Sequence, residues 1–149
     1  MKLDNFHLEE YDMTSPIHKT VVIELENDRD GKYYLGNLEY QIEEINKLRE
    51  NDIINQAYIA FYNEEAVGYI SLIYKENRYE ISYGIRPKYR GEHLGALLLQ
   101  EFSEKVFEDN NKINELALMI CNQNTSSKKT ASLAGYRKET STKHIQKRL

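Results

Sequence analysis

The chain has 149 residues with 40% hydrophobic and 30% charged side chains, which is typical of one soluble globular domain, here expected to span residues 1–149. No apolar run approaches the roughly 18 residues that a membrane span needs, and the opening MKLDNFHLEE contains no apolar signal core, so we expect a cytoplasmic protein without membrane association. The net charge of −4 and the lack of a dense basic run argue against a nucleic-acid partner, and the single cysteine excludes an internal disulfide.

The first half of the chain predicts a strand, two helices and a hairpin. KLDNFHLEEY is a weak strand candidate, and DRDGKYYLGN is a predicted loop. Thr14 and Ser15 are candidate caps before Pro16, so we predict a helix over TSPIHKTVVIELEND, although its β-branched centre favours a strand. The second helix, over LEYQIEEINKLRE, is predicted by apolar residues near helical spacing: Leu38, Ile42, Ile45 and Leu48. AYIAFYN and AVGYISLIY flank the segment NEE, which predicts a hairpin.

The second half predicts a strand–helix–strand crossover, then a short helix and two strands. RYEISYGI follows the tight turn KEN and is a predicted strand. Residues 94–108 form a predicted helix with one buried stripe: Leu94, Leu98, Phe102 and Val106. ELALMIC is a predicted central strand with Cys121 buried at its end. Asn and Gly bracket the predicted helix of NQNTSSKKTASLAG, and YRKE and KHIQKRL are the last predicted strands. This order indicates a mixed α/β domain.

The segment ISYGIRPKYRGEHLGALLLQEF, residues 81–102, combines a strand, a glycine-containing loop and a helix start. Amides at a helix start lack intrahelical partners, and together with the helix dipole they favour an anion. Glycines let a phosphate approach the backbone closely. The usual nucleotide motifs GxxxxGKS/T and GxGxxG are absent. Taken alone, a glycine-containing loop before a helix more often reflects ordinary turn geometry than an anion site.

The segment YGIRPKYRGEHLGALLL resembles the acetyl-CoA-binding motif of the GNAT acetyltransferase superfamily, Gln/Arg-x-x-Gly-x-Gly/Ala, which Pro-x-Tyr-Arg-Gly often precedes. Downstream, NQNTSSKKTASLAGYRKE resembles the second signature of the family, carried here by Asn124, Ser127, Gly135 and Tyr136. The two signatures cover about residues 57–140, and the second is most similar to the branch that acts on ribosomal-protein N-termini. The resemblance implies a GNAT-like α/β fold with a mixed, mostly antiparallel central sheet flanked by helices.

The resemblance also implies how the chain binds acetyl-CoA. In the family, backbone amides of the loop hold the pyrophosphate of coenzyme A, which places this contact at residues 91–96. The implied cofactor-binding residues are Ile85, Arg90, Gly91, His93, Leu94, Gly95, Ala96, Asn124 and Ser127. No metal site is expected, because no two of the histidines have metal-ligand spacing: His7, His18, His93 and His144.

Two positions depart from the family pattern. His93 replaces the first glycine of the motif, where it would crowd the pyrophosphate, donate a hydrogen bond to it, or lie as a bystander on the surface. Ala131 stands where many members carry a tyrosine that protonates the departing sulfur. The resemblance then points to Ser127 as the catalytic group near the sulfur, whereas the simpler interpretation is that Ser127 caps its own helix.

Transfer to an amine requires a base, because an amine is nucleophilic only when neutral and a lysine-like amine has a pKa of about 10.4. Glu80 is the first catalytic candidate, since the family often uses a glutamate on this strand, and the alternative is a solvated surface carboxylate. Tyr83 and Glu115 are weaker candidates. The leaving thiol has a pKa of about 8.5, so direct attack needs mainly orientation, and Cys121 is not expected to be a nucleophile.

We therefore expect an N-acetyltransferase that transfers acetyl from acetyl-CoA to a primary amine of a small molecule or protein, as a monomer or homodimer. Residues 1–75 carry 15 acidic and 7 basic side chains, a net of −8, and residues 76–149 carry 9 and 13, a net of +4. An acidic first half on the acceptor side favours a cationic acceptor. One alternative is a non-catalytic acyl-CoA-binding sensor or scaffold, which the missing tyrosine favours. Another is an unrelated nucleotide-binding domain, which the second signature argues against.

Overall fold

The computed structural model describes residues 5–28, 38–49, 56–91 and 93–148. The helices are α1 (Pro16–Glu26), α2 (Leu38–Arg49), α3 (Leu94–Asp109) and α4 (Thr125–Leu133), with a 3₁₀ turn at Pro87–Tyr89. The strands are β1 (Phe6–Glu10), β2 (Gln56–Tyr62), β3 (Glu65–Lys75), β4 (Arg78–Ile85), β5 (Glu115–Met119), β6 (Arg137–Lys138) and β7 (Lys143–Lys147). They form one sheet in the order β1-β2-β3-β4-β5-β7-β6.

The sheet is antiparallel at each pairing except that of β4 with β5. Helix α3 connects these two strands, so β4, α3 and β5 form the predicted crossover. The predicted fold class, a mixed and mostly antiparallel sheet flanked by helices, is confirmed. Within the described strands, β4 and β5 pair only where Glu80 lies opposite Ala117. Beyond that point the two strands diverge and leave a gap in the sheet.

Both predicted tight turns are present. Asn63 and Glu64 join β2 to β3, Glu76 and Asn77 join β3 to β4, and their φ angles lie between 51° and 66°. Positive φ at both central residues gives the turn a twist that matches the flanking antiparallel strands. Asparagine adopts this conformation more readily than most residues, and each turn contains one.

Helix α1 begins where the sequence predicts it. The Ser15 hydroxyl accepts a hydrogen bond from the His18 amide at 3.3 Å, and Pro16 occupies the first turn. The β-branched centre is nevertheless helical. Val21, Val22 and Leu25 are almost completely buried, and this burial outweighs the small loss of helix propensity.

The sheet carries a hydrophobic core on each face. Helices α1 and α2 cover one face, where the buried strand residues are Ala57, Ile59, Phe61, Ala66 and Tyr69. Helices α3 and α4 cover the other face, and the predicted α3 stripe of Leu94, Leu98, Phe102 and Val106 is buried there. Buried Leu38, Ile42 and Ile45 confirm the predicted face of α2, while the side chain of Leu48 and most of the predicted loop DRDGKYYLGN lie outside the described residues.

The prediction for β5 needs a correction. The strand ends at Met119 rather than at Cys121, and Cys121 is exposed rather than buried. Strand β7 pairs with β5 only from Glu115 to Met119, so the chain turns away soon afterwards. The Cys121 thiol donates a hydrogen bond to the side chain of Gln123 at 2.9 Å.

The terminal strands are also shorter than predicted. Within the described part of KLDNFHLEEY, which starts at Asn5, strand β1 spans Phe6–Glu10. Strand β6 contains two residues, because it pairs with β7 at only Arg137 and Lys138, and β7 ends at Lys147. No helix in the described part of the chain is long and apolar enough to cross a membrane.

Candidate active site

A cleft opens where β4 and β5 diverge. Its volume is about 750 Å³, within the range of about 300–1,000 Å³ that small-molecule sites usually have. Both strand ends, the loop after β4, and the starts of α3 and α4 line it. Helix starts meet strand ends here because α3 follows β4 and α4 follows β5 in the chain.

The cleft brings the predicted site residues together. Those that line it are Glu80, Ile85, Arg90, Gly91, His93, Leu94, Gly95, Asn124 and Ser127. Ala96 is in the first turn of α3 but does not line the cleft. Several other residues line the cleft that were not predicted as site residues: Gln41, Ser82, Cys121, Lys129 and Thr130. These residues give only a weak sequence signal, because polar side chains near the ends of helices and strands are common on any protein surface.

The start of α3 is open to an anion. The Ser15 hydroxyl caps α1 and the Asn124 side chain caps α4, but among the described residues, which leave out Glu92, no side chain caps α3. The first turn of α3 contains no acidic residue. First-turn amides have no intrahelical acceptor and carry the positive end of the dipole. Gly91 has φ +86°, and a Cβ added there would meet no atom within 4 Å, so the backbone is accessible.

Two arginines of the loop after β4 form ion pairs with α1 and with the residues just after it. Arg86 donates to the Glu24 carboxylate through Nε at 3.0 Å and through Nη2 at 2.9 Å. Arg90 pairs with Asp28 at 2.6 Å. Glu24 is in the last turn of α1, and Asp28 follows the residue that ends this helix, Asn27. Sequence spacing gave no signal for either pair, since each joins residues from distant parts of the chain.

Glu80 lies at the point where β4 and β5 begin to diverge. Its carboxylate accepts a hydrogen bond from Arg78 Nε at 3.1 Å, and its side chain is 18% exposed. Side chains alternate along a strand, and Glu80 lies opposite Ile73, on the α1–α2 face of the sheet. The weaker candidate Glu115, at the start of β5, does not line the cleft.

Tyr83 faces the opposite side of β4 from Glu80. Its ring packs against the core beneath α3 and α4 while also lining the cleft. Burial raises the pKa of the Tyr83 phenol, and the nearby hydroxyls of Ser127 and Thr130 partly oppose this. Strand alternation therefore places Glu80 and Tyr83, both candidate bases, on opposite faces of the sheet. The Tyr83 phenol is a hydrogen-bond donor at neutral pH.

The start of α4 places Ser127 in the cleft. The Asn124 side chain accepts a hydrogen bond from the Ser127 amide at 3.0 Å, so Asn124 is the helix cap. The alternative that Ser127 caps this helix is therefore wrong. Ala131, one turn further on, is completely buried, and no tyrosine stands at this position.

His93 occupies a left-handed conformation with φ 60° and ψ 15°. A glycine adopts this conformation without steric cost, which explains the glycine of the family pattern. His93 lines the cleft but is exposed and caps no helix amide.

We expect His93→Gly to raise the free energy of unfolding by about 0.5 kcal/mol, because the relieved strain exceeds the added chain entropy. As a bystander, His93 leaves the affinity for coenzyme A unchanged from pH 6 to pH 8. Thermal unfolding and calorimetry at these pH values check both statements. Weaker binding in the variant with a flatter pH dependence would instead make His93 a phosphate ligand, and tighter binding would show that it crowds the site.

The profile of the Acetyltransferase (GNAT) family matches residues 19–136. The chain therefore belongs to the GNAT acetyltransferase family. A comparison with curated proteins found no match in sequence.

Several solved acetyltransferases share the fold. PseH, an N-acetyltransferase of Campylobacter jejuni solved with acetyl coenzyme A, is 16% identical with a TM-score of 0.68, over 97% of this chain and 99% of its own. RimL, a ribosomal alpha-N-protein acetyltransferase solved with coenzyme A, is 14% identical with a TM-score of 0.75, over 97% and 95%. Aminoglycoside acetyltransferase AAC(6')-Ib with coenzyme A is 14% identical with a TM-score of 0.73, over 96% and 95%. At these identities the likeness shows the fold alone.

Proposed function

We propose that this protein transfers an acetyl group from acetyl-CoA to a primary amine. The observation that carries the proposal is the cleft between β4 and β5, where an uncapped helix start and a potential base line the same space. The α3 amides and Gly91 would hold the pyrophosphate, with Arg90 beside them. The pantetheine arm would lie in the gap between the strands, where its amides replace the missing strand pairing. The coenzyme supplies the activated acetyl group, and the similar structures solved with coenzyme A or acetyl-CoA support this donor.

Glu80 is the proposed base. Its carboxylate lines the cleft, and Arg78 holds it in place from the same strand. It takes a proton from the amine, directly or through water, so that the neutral nitrogen attacks the thioester carbonyl. Ser127, which lines the cleft from the first turn of α4, is proposed to contact the departing sulfur.

The chemical class of the amine acceptor stays a prediction, and the positions of the acidic residues constrain it. Glu24 in the last turn of α1 and Asp28 just after this helix are paired with arginines of the loop. Other acidic residues line a separate groove of about 540 Å³ beside α2: Glu10, Asp12, Glu39 and Glu43. Within the described lining of the cleft, Glu80 is the acidic residue available to attract a cationic amine.

A non-catalytic acyl-CoA sensor is the second candidate, and one observation favours it. Ala131 replaces the phenol that many family members use as the acid, and this alanine is buried in the core. A sensor would bind acetyl-CoA as tightly as an enzyme would, but amines would not stimulate thiol release.

Calorimetry with coenzyme A tests the proposal first, and we expect one site with Kd of about 1 mM or tighter, which corresponds to about −4 kcal/mol. Thiol release from acetyl-CoA is then measured with polyamines, aminoglycosides and peptides that have a free N-terminus. Stimulation by at least one amine is expected. Binding without stimulation by any amine supports the sensor, and no binding at millimolar coenzyme A ends both candidates.

A further inference from the structure

The cleft reaches both faces of the sheet through the gap between β4 and β5. Tyr83 and Leu94 line it from the face that α3 and α4 cover, and a coenzyme bound at the α3 amides would occupy that side. The opposite side, which we call the acceptor half, is lined by α2 and by the other face of the strands: Gln41, Ile73, Lys75, Glu80, Ser82 and Met119. The acceptor half is therefore the space left for the amine.

Lys75 and Glu80 carry the charges of the acceptor half within its described lining. Glu80 on β4 pairs with Ile73 on β3, and Lys75 is two residues further along β3. Paired residues share a face of the sheet, and so do residues two apart on one strand, which makes Lys75 and Glu80 diagonal neighbours on the same face. Diagonal neighbours are typically about 7–8 Å apart, so one small molecule can contact both side chains.

Lys75 is exposed and has no ion-pair partner among the described residues. Arg78 holds the carboxylates of Glu76 and Glu80, each at 3.1 Å. Lys75 forms an ion pair with neither of them. It therefore presents an unpaired positive charge to the same space in which Glu80 presents its carboxylate.

Apolar side chains lie beside these two charges. Ile73 is opposite Glu80 on one side, and Met119 is two residues beyond Ala117, which pairs with Glu80 on the other side. Met119 is 43% exposed although it is large and apolar. A ligand with a hydrocarbon chain between two charged groups would cover this apolar surface, and its removal from water would favour binding.

We propose that the acceptor is an amine that also carries an anionic group, with the amine at Glu80 and the anion at Lys75. This inference rests on the proposed function of the cleft and narrows the expected cationic acceptor to a zwitterion. The anion is the carboxylate of a free amino acid or of an acidic residue beside a peptide N-terminus. A purely cationic acceptor such as a polyamine would place a second positive charge near Lys75, and this repulsion disfavours it.

The anionic group takes no part in the chemistry. The amine loses its proton to Glu80, its nitrogen forms a bond to the acetyl carbonyl carbon, and the C–S bond breaks with its electron pair left on sulfur. Lys75 contacts the acceptor away from these atoms and determines specificity. Its loss should therefore raise KM for the acceptor and leave kcat little changed.

Matched pairs of acceptors test this assignment. Glycine, β-alanine and γ-aminobutyrate are each compared with the corresponding amide, and a peptide with aspartate after its N-terminal residue is compared with the asparagine peptide. Thiol release from acetyl-CoA gives kcat/KM for each. Each acid and its amide differ in intrinsic amine reactivity, but this difference is the same for every protein variant and cancels when their ratio is compared between variants.

Lys75→Met should reduce the acid-to-amide ratio of the best pair by about tenfold, because it removes a charged partner of the carboxylate. Lys75→Arg should retain most of the preference, and Lys75→Glu should instead favour diamines. Lys112→Met is the matched control. It makes the same change in net charge at an exposed lysine outside the cleft lining, and it should leave the ratio unchanged.

Equilibrium binding of the same pairs to protein saturated with coenzyme A separates this inference from the proposed reaction. Preferred binding of the acids that depends on Lys75 supports the inference even if no amine releases thiol, a result that would end the transfer reaction alone. A preference confined to free amino acids or to peptides also supports it and identifies the source of the anion. Equal binding of acids and amides to the wild type would overturn it, and so would a preference that survives in Lys75→Met.

Discussion

Glu80→Gln is expected to lower turnover by about 100-fold at neutral pH, the lower end of the usual range for a lost general base. A lysine-like amine with a pKa of about 10.4 is almost entirely protonated at pH 7, so the reaction depends on a group that removes the proton. As pH rises, more of the amine is neutral without help. The deficit of the variant should therefore shrink between pH 7 and pH 10, and initial rates with the best amine measure this.

Glu76→Gln is the matched control for that experiment. Arg78 donates to the Glu76 carboxylate at 3.1 Å, the same distance as to Glu80, but Glu76 does not line the cleft. Loss of one Arg78 ion pair is therefore common to both variants, and only Glu80→Gln removes a carboxylate from the cleft. Equal rates and equal pH profiles for wild type and Glu80→Gln would remove Glu80 from the mechanism.

Gly95→Asp should weaken binding of coenzyme A by about 100-fold or more. The new carboxylate lies in the first turn of α3, where the proposal places the pyrophosphate. Like charges about 4 Å apart repel by on the order of 4 kcal/mol near a protein surface, and each 1.4 kcal/mol corresponds to tenfold in Kd. The added Cβ would meet Thr130 Cγ2 at 3.4 Å, an ordinary contact, so the helix should fold. An acidic residue in a first helical turn also stabilises the helix.

Gly95→Asn separates charge from size in this experiment, because its side chain has nearly the same shape as that of aspartate. Calorimetry with coenzyme A should show a much smaller loss for Gly95→Asn than for Gly95→Asp, and thermal unfolding should show that both variants are folded. Equal losses in the two variants would mean that bulk rather than charge excludes the ligand. Full affinity in Gly95→Asp would place the pyrophosphate elsewhere.

The elements around the cleft were predictable because their signals are local. The β4–α3 segment contains a strand, a loop with glycines and a helix with one apolar stripe, and each signal depends on residues that are close in sequence. The capping residue Ser15 is a local signal of the same kind and caps α1 as predicted, whereas α4 is capped by Asn124 rather than by Asn122, which begins the predicted helix segment. The end of β5 was not predictable, because it depends on how far β7 pairs with it.

The side-chain roles in the cleft were only partly predictable. Strand alternation already implies that Glu80 and Tyr83 face opposite sides of β4, although the sequence analysis considered both as bases. That Tyr83 and Ser127 line the same cleft depends on how α4 packs over the diverging strands. The pairing of Arg90 with Asp28 likewise depends on where α1 crosses the sheet.

By itself, the sequence determined the element order and the family resemblance, because capping, periodicity and glycine placement act over a few residues. Only the tertiary structure decided that β4 and β5 separate after Glu80, that Cys121 is exposed, and that Tyr83 from the sheet and Ser127 from α4 line the same cleft. These outcomes depend on strand pairing and helix packing between distant segments. Such contacts are fixed by the burial of both faces of the sheet together, and no short stretch of sequence contains that information.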